Sequence, residues 1–356
     1  MLNRRQLIIG GAAALHAQEP ERDRDLTIVT DVLNVVAPVT VISKDGSYVS
    51  GLEASDFRLE DNKIPQQIRV DVSFVPISMV VAIQANNVIE PFLNTIKRIG
   101  PLLEGLILGT QGEAALLKFD HRIQEIQPFT NDAKLFTKAL DKIIPGSSTS
   151  AMIDTVFQAT RMLRARTGER RRVLLLISET QDKGSEGRIR EALLSAQINN
   201  IQVYSININR LVNKLAAKMP APRQSNFPPA SRPMPGGMPQ TPHTQAQMTG
   251  YGGEATTAIP IIQEVMKQVK YVFVPNPLEV LTKHTGGREF SFLTLHDMEE
   301  TMTKLGEELH AQYLLNYNPS KEVLEQGGWH DIRVTVMRPN IKQVRTRPGY
   351  WLASKF

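Results

Sequence analysis

Apolar and polar positions alternate in short runs at both ends of the chain, whereas the middle carries continuous apolar runs separated by stretches of helical period. Alternation over 27–32, 37–42, 56–60 and 68–72 predicts half-buried strands, with turn chemistry at Lys44-Asp45-Gly46 and Asp61-Asn62-Lys63. So few strands would leave exposed sheet edges. The same alternation returns at 312–317 and 331–336, so the two ends are expected to combine into one discontinuous β-sandwich. Residues 26–75 would supply its first part and 311–356 its last.

Between them, residues 76–310 alternate strand and helix, the signature of a mostly parallel sheet covered on both faces. Strands are predicted at 78–83, 114–119, 122–127, 172–178, 201–208 and 288–292. Helices are predicted at 89–106, 132–143, 151–166, 186–196, 261–269 and 297–310. The last shows the period best, with Met298, Met302, Leu305 and Leu309 on one face. The fold class is therefore α/β, a Rossmann-like domain inserted in a β-sandwich. Over 210–258 the period breaks into a proline-rich segment with Arg210, Lys214, Lys218, Arg223 and Arg232, read as an insertion too poor in apolar residues to order itself. It reads either as a cationic tether for an acidic or cell-wall partner or as a tolerated surface loop.

Composition adds bounds rather than a function. With 356 residues and 41% apolar content the chain can bury a full core, and its size suits two domains. Residues 1–17 read as an export signal, with Arg4-Arg5 before an apolar run and a small-residue cleavage site before Gln18, followed by a charged linker at 18–25. Asn3-Arg4-Arg5-Gln6-Leu7 fits either a Sec or a twin-arginine route, so a periplasmic or secreted product is expected. No second long apolar run follows, so no transmembrane anchor is expected. Formal charge is +5; without Arg4 and Arg5 it is 39 basic against 36 acidic residues, too dispersed to argue for nucleic acid. The absence of cysteine excludes disulfides, thiolate metal sites and a cysteine nucleophile.

The order of elements resembles the von Willebrand factor A fold. The residues that carry the resemblance are Pro76-Ile77-Ser78-Met79-Val80-Val81, Gly146-Ser147-Ser148-Thr149-Ser150-Ala151-Met152-Ile153-Asp154 and Leu174-Leu175-Leu176-Ile177-Ser178-Glu179-Thr180-Gln181-Asp182. More narrowly, Val49-Ser50-Gly51-Leu52, Thr285-Gly286-Gly287-Arg288 and Arg347-Pro348-Gly349-Tyr350 are similar to the exported bacterial "VWFA-related" family abundant in Acidobacteria. The resemblance implies a cation-dependent adhesion site whose five ligands, Asp, Ser, Ser, Thr and Asp, fall on Gln84, Asn86, Val88, Ser150 and Glu179. Magnesium wants oxygen ligands and compensating negative charge, which this set supplies poorly. A degenerate site without metal or other cofactor is therefore expected; any surviving site would use Ser150, Glu179 and Asp182.

No nucleophile elbow, phosphate loop or His-Glu-x-x-His is present, and the histidines are scattered. The chain reads as a non-enzymatic, exported interaction module that binds a protein or cell-envelope partner through Gln84, Asn86, Val88, Ser150, Glu179 and Asp182, because open parallel sheets bind at the carboxyl ends of their strands. The rivals are cation-dependent adhesion through the rearranged site, a hydrolase using Glu179 and Asp182, and a purely structural envelope protein with no ligand on that face.

Overall fold

The computed structural model describes residues 34–71, 75–86, 89–103, 109, 111–147, 149–208, 276–291 and 295–352. The expected export signal, the 18–25 linker, the 27–32 strand, the helix at 261–269 and the whole of the proline-rich insertion lie outside them.

The first strands are β1 (Val35–Ser43), β2 (Phe57–Asp61), β3 (Ile64–Pro65) and β4 (Arg69–Asp71). The last are β11 (Tyr313–Tyr317), β12 (Gly328–Val336), β13 (Ile341–Arg345) and β14 (Gly349–Leu352). They interleave in two four-stranded sheets, β13-β1-β11-β4 and β14-β12-β2-β3. Every pairing in them is antiparallel, and each sheet takes two strands from either end of the chain. The β2–β3 turn puts Asn62 and Lys63 at φ 49° and 70°. Two positive φ values in a two-residue loop match the right-handed twist of the hairpin.

The two sheets are joined at Asp61, which is fully buried. Its Oδ2 accepts from the hydroxyls of Tyr317 on β11 and Tyr350 on β14, both at 2.8 Å, and its Oδ1 lies 3.0 Å from Nδ1 of buried His330 on β12. Tyr350 stacks on His330 at 5.1 Å, and the guanidinium of buried Arg347 sits 5.5 Å from the Tyr350 ring centroid. Burial foremost, together with the nearby Asp61 carboxylate, pushes both phenols above their ordinary range, so they stay protonated and donate.

The middle of the chain builds a six-stranded sheet from β5 (Ile77–Gln84), β6 (Glu113–Phe119), β7 (Ile123–Thr130), β8 (Arg171–Ser178), β9 (Ile201–Asn207) and β10 (Glu289–Ser291). Their order is β10-β9-β8-β5-β6-β7, parallel except for β7 at the edge. Its helices are α1 (Leu93–Ile96), α2 (Ile99–Leu103), α3 (Ala133–Asp141), α4 (Met152–Arg164), α5 (Ile189–Ile198), α6 (Pro277–Thr285) and α7 (Leu295–Ala311). A short α8 (Lys321–Leu324) lies between β11 and β12. Ile77, Met79, Val81 and Ile83 of β5 face α1, α2, α3 and the Met298/Met302/Leu305/Leu309 stripe of α7. Val80 and Ala82 face α4, α5 and α6 on the other side. The methionine stripe is thus core packing.

Two helices differ from the sequence expectation. The run 89–106 is broken, a 3₁₀ turn at Glu90–Phe92 being followed by the short α1 and α2. Pro91 and Pro101 remove amide donors, and Gly100 allows α3 to approach so closely that a Cβ would lie 2.7 Å from Thr137 Oγ1. Helix α6 was not expected. Its Asn276 caps the Leu278 amide, Pro277 occupies the first turn, and Gly286 closes it at φ 82°.

The parallel sheet is fixed to the sandwich through a buried polar junction. Arg171, the first residue of β8, donates to Gln202 Oε1, Leu309 O and Gln312 Oε1. Gln312, between α7 and β11, donates in turn to Thr40 Oγ1 on β1 and Gly286 O. Beside them the fully buried Glu308 pairs with Arg345 of β13 and, at 3.6 Å, with Arg288.

Candidate binding face at the carboxyl end of the sheet

Strands β5, β6 and β8 run in one direction, so the segments that follow Gln84, Phe119 and Ser178 emerge at one end. Gln84 is the last residue of β5 and is fully buried. Because β5 and β8 are in register through Ile83 and Ile177, Gln84 lies level with Ser178, the last residue of β8, one position before Glu179. Its Oε1 accepts the Glu179 amide at 3.0 Å, and its Nε2 donates to Glu179 Oε1 at 2.9 Å. Both ends of one amide are therefore spent on one residue.

Asp182 is engaged just as fully. Oδ2 accepts from Ile153 N at 2.8 Å and Ser185 Oγ at 2.8 Å, while Oδ1 accepts from Ser185 N at 3.1 Å and Gly184 N at 3.3 Å. It caps the start of α4 and folds its own loop. Asp154 answers from the helix side, accepting from Glu186 N and Gly187 N, both at 2.9 Å. Ser150 is buried; its carbonyl takes Lys183 N and Gly184 N, and its hydroxyl has no hydrogen-bond partner among the described residues. Asn86 is buried too, with Oδ1 on Ile89 N at 3.2 Å and Nδ2 without a partner among those residues. Val88 lies outside the described residues. Of the six residues singled out from the sequence, the structure brings Gln84 and Glu179 into direct contact, ties Ser150 and Asp182 into one loop and holds Asn86 in the wall.

Asp120 and His121 directly follow β6; no sequence motif singles out Asp120, and His121 reads as one of the scattered histidines, a surface or capping residue. Asp120 takes Arg122 N at 2.7 Å and Ser147 N at 2.9 Å, and its carbonyl takes Ala151 N. Burial raises its carboxyl, but the amides of Arg122 and Ser147 and the nearby His121 and Lys118 outweigh that and hold it below the ordinary value. Gly146 permits this closeness, since a Cβ there would fall 1.7 Å from Asp120 Oδ2. Position after a strand of the parallel sheet was the signal that could have found the pair. Half-exposed His121 places one nitrogen, Nδ1, 2.7 Å from Ser147 Oγ and 3.2 Å from Asp120 Oδ1. A serine relay needs the two ring nitrogens to face hydroxyl and carboxylate separately, so these three residues do not form one.

The donor set does not fit a divalent cation. Glu179 is the one carboxylate among the ligand positions that the resemblance implies, and its Oε1 already accepts from Gln84 Nε2; Gln84 Oε1 is a neutral acceptor already engaged by the Glu179 amide, and Asn86 leaves a donor rather than an acceptor unpaired. No three His, Cys, Asp or Glu side chains among the described residues are grouped to hold a metal. The two best-formed cavities lie elsewhere. A groove of about 530 Å³ is lined by Asn94, Lys97, Arg98 and Glu299, and one of about 370 Å³ by Val49, Leu52, Arg338 and Asn340.

No protein-family model matches the chain, and no curated protein matches it. Several solved structures are similar. The conserved hypothetical protein BatB from Bacteroides thetaiotaomicron is 14% identical with a TM-score of 0.40, covering 65% of this chain and 98% of that one. An aerotolerance-related membrane protein from Bacteroides fragilis is 14% identical with a TM-score of 0.39, covering 65% and 99%. The vWF domain of the type V pili tip protein Mfa5 from Porphyromonas gingivalis is 17% identical with a TM-score of 0.26, covering 30% and 39%. No helix among the described residues is long and apolar enough to cross a membrane.

Proposed function

We propose that the chain is an exported, non-enzymatic protein-interaction module of von Willebrand A type that binds its partner through the carboxyl-end face without a bridging cation. The observation that carries this reading is the Gln84–Glu179 clamp, in which a neutral amide meets the carboxylate where the resemblance places a metal. A cation bridging protein and ligand needs an oxygen site with unspent negative charge. Here the charge of Glu179 is met by a hydrogen-bond donor, and Asp182 is spent on backbone amides. The same engagements speak against a hydrolase built on Glu179 and Asp182, since Asp182 is spent on its own loop and the start of α4, and neither carboxylate lines either of the two best-formed cavities.

The test is calorimetric titration of magnesium and manganese into the full chain, beside a Glu179→Ala variant. Neither protein is expected to give saturable heat. Saturable binding in the micromolar range that vanishes in the variant would overturn the reading and restore cation-dependent adhesion.

A further inference from the structure

At the opposite end of the parallel strands, the structure gathers arginines that the sequence spreads over 161–172. Glu113, at the start of β6, is chelated by Arg166 through two bonds of 2.7 Å and paired with Arg170 at 3.3 Å. Arg170 also donates to Ser78 Oγ at 2.6 Å and Gln111 O at 3.0 Å. Arg172 reaches only carbonyls, those of Asn199 and Arg166. Arg161 and Arg164 occupy one face of the last turn of α4, are exposed, and have no hydrogen-bond or ion-pair partner among the described residues. Exposed Glu169 is the other acid of the segment, and nearby Asp132 is spent on the α3 cap and offset by Lys134. Five guanidinium groups thus stand against Glu113 and Glu169.

We propose that this amino-end corner is a docking surface for an anionic phospholipid membrane. Guanidinium groups match phosphate oxygens in geometry and charge. The free ones lie on open surface rather than in either of the two best-formed cavities, which suits an array of headgroups and not a single bound phosphate. A protein partner would need an apolar anchor at the centre of the patch. The ring of Phe129 is instead covered by Arg166 at 4.8 Å, and the exposed apolar side chain beside the patch is, among the described residues, the single Ile198, next to the Asn199 carbonyl that Arg172 reaches, where it can enter a bilayer interface. Parallel strands of eight residues set the two ends of the sheet roughly 25 Å apart. A chain docked here would hold the Gln84–Glu179 face away from the bilayer, yet the proposal stands or falls independently of that face.

The experiment is co-sedimentation of the full chain with vesicles of equal parts phosphatidylglycerol and phosphatidylcholine, against pure phosphatidylcholine. Each arginine near an anionic surface contributes about fivefold in partitioning, so Arg161→Gln with Arg164→Gln should weaken binding about 25-fold. The charge-matched pair Arg69→Gln with Lys342→Gln, exposed on the sandwich, should change it less than about threefold on the same scale. Arg161→Lys with Arg164→Lys should retain binding. Equal losses in the two glutamine pairs, or no preference of the wild-type chain for the anionic vesicles, would overturn the proposal. So would displacement by inorganic phosphate beyond that by chloride at equal ionic strength, which would mark a discrete phosphate site.

Discussion

Replacing Asp61 with alanine is expected to lower stability by about 3–5 kcal/mol, because removing one member of a buried ionic cluster leaves the others without compensation. Asp61 is fully buried and is the common acceptor for Tyr317, Tyr350 and the His330 ring. Its loss strands two phenol hydroxyls and leaves Arg347, also buried, without the Asp61 carboxylate that favours its charge. Those partners sit on β11, β14 and β12, while Asp61 closes β2, so the damage falls on the contact that unites strands from opposite ends of the chain. Guanidinium unfolding followed by tryptophan fluorescence would read it, since Trp329 and Trp351 are paired across β12 and β14. Asp61→Asn should cost less, since one amide oxygen still accepts. A shift below about 1 kcal/mol for the alanine variant, the size of an ordinary surface change, would contradict the assigned role.

Arg171→Ala is expected to cost a similar amount, about 3–5 kcal/mol by the same physics of an opened buried cluster. The side chain spans the junction, with Gln202 on β9, the last turn of α7 and Gln312 as its acceptors. Without it, Gln312 Oε1 keeps the Gln202 amide at 2.8 Å and a long contact from Tyr204 at 3.4 Å. Glu308 then loses a neighbouring positive charge, though Arg345 and Arg288 remain. Because this cluster fixes the parallel sheet to the sandwich, hydrogen exchange should rise at both β1 and the start of β8. Exchange confined to β8 would mean that the junction does not couple the two.

How much of this was legible in the chain differs from place to place. The apolar runs of β5 and β8 announce buried parallel strands, and the alternation at both ends announces the shared sandwich. Gln84 could be picked out from position, but its partner could not: the clamp exists because the β5–β8 register sets Ile83 against Ile177, a pairing that no local pattern specifies. Asp61 reads locally as a turn residue, polar and next to Asn62, and it is buried because Tyr317, His330 and Tyr350 arrive from more than 250 positions away. Asp120 is similar, its environment being made by the close approach of Gly146. Helix α6, in contrast, carried its own signals in Asn276-Pro277 and Gly286, within a region whose preceding residues break the periodicity. The pattern holds in each case: periodicity encodes elements, while polar sites are made by register and by long-range return of the chain.

In the proposed reading the Gln84 amide stands where the resemblance places a cation. The side-chain amide resonance of Gln84 in isotope-labelled protein, followed as manganese is added, tests this, since a paramagnetic ion broadens nuclei close to it. A metal-free clamp predicts that the Gln84 signal keeps its line width in step with amides remote from the face, such as that of Gln202. Selective broadening of Gln84 at micromolar manganese would contradict it and place a cation at Glu179.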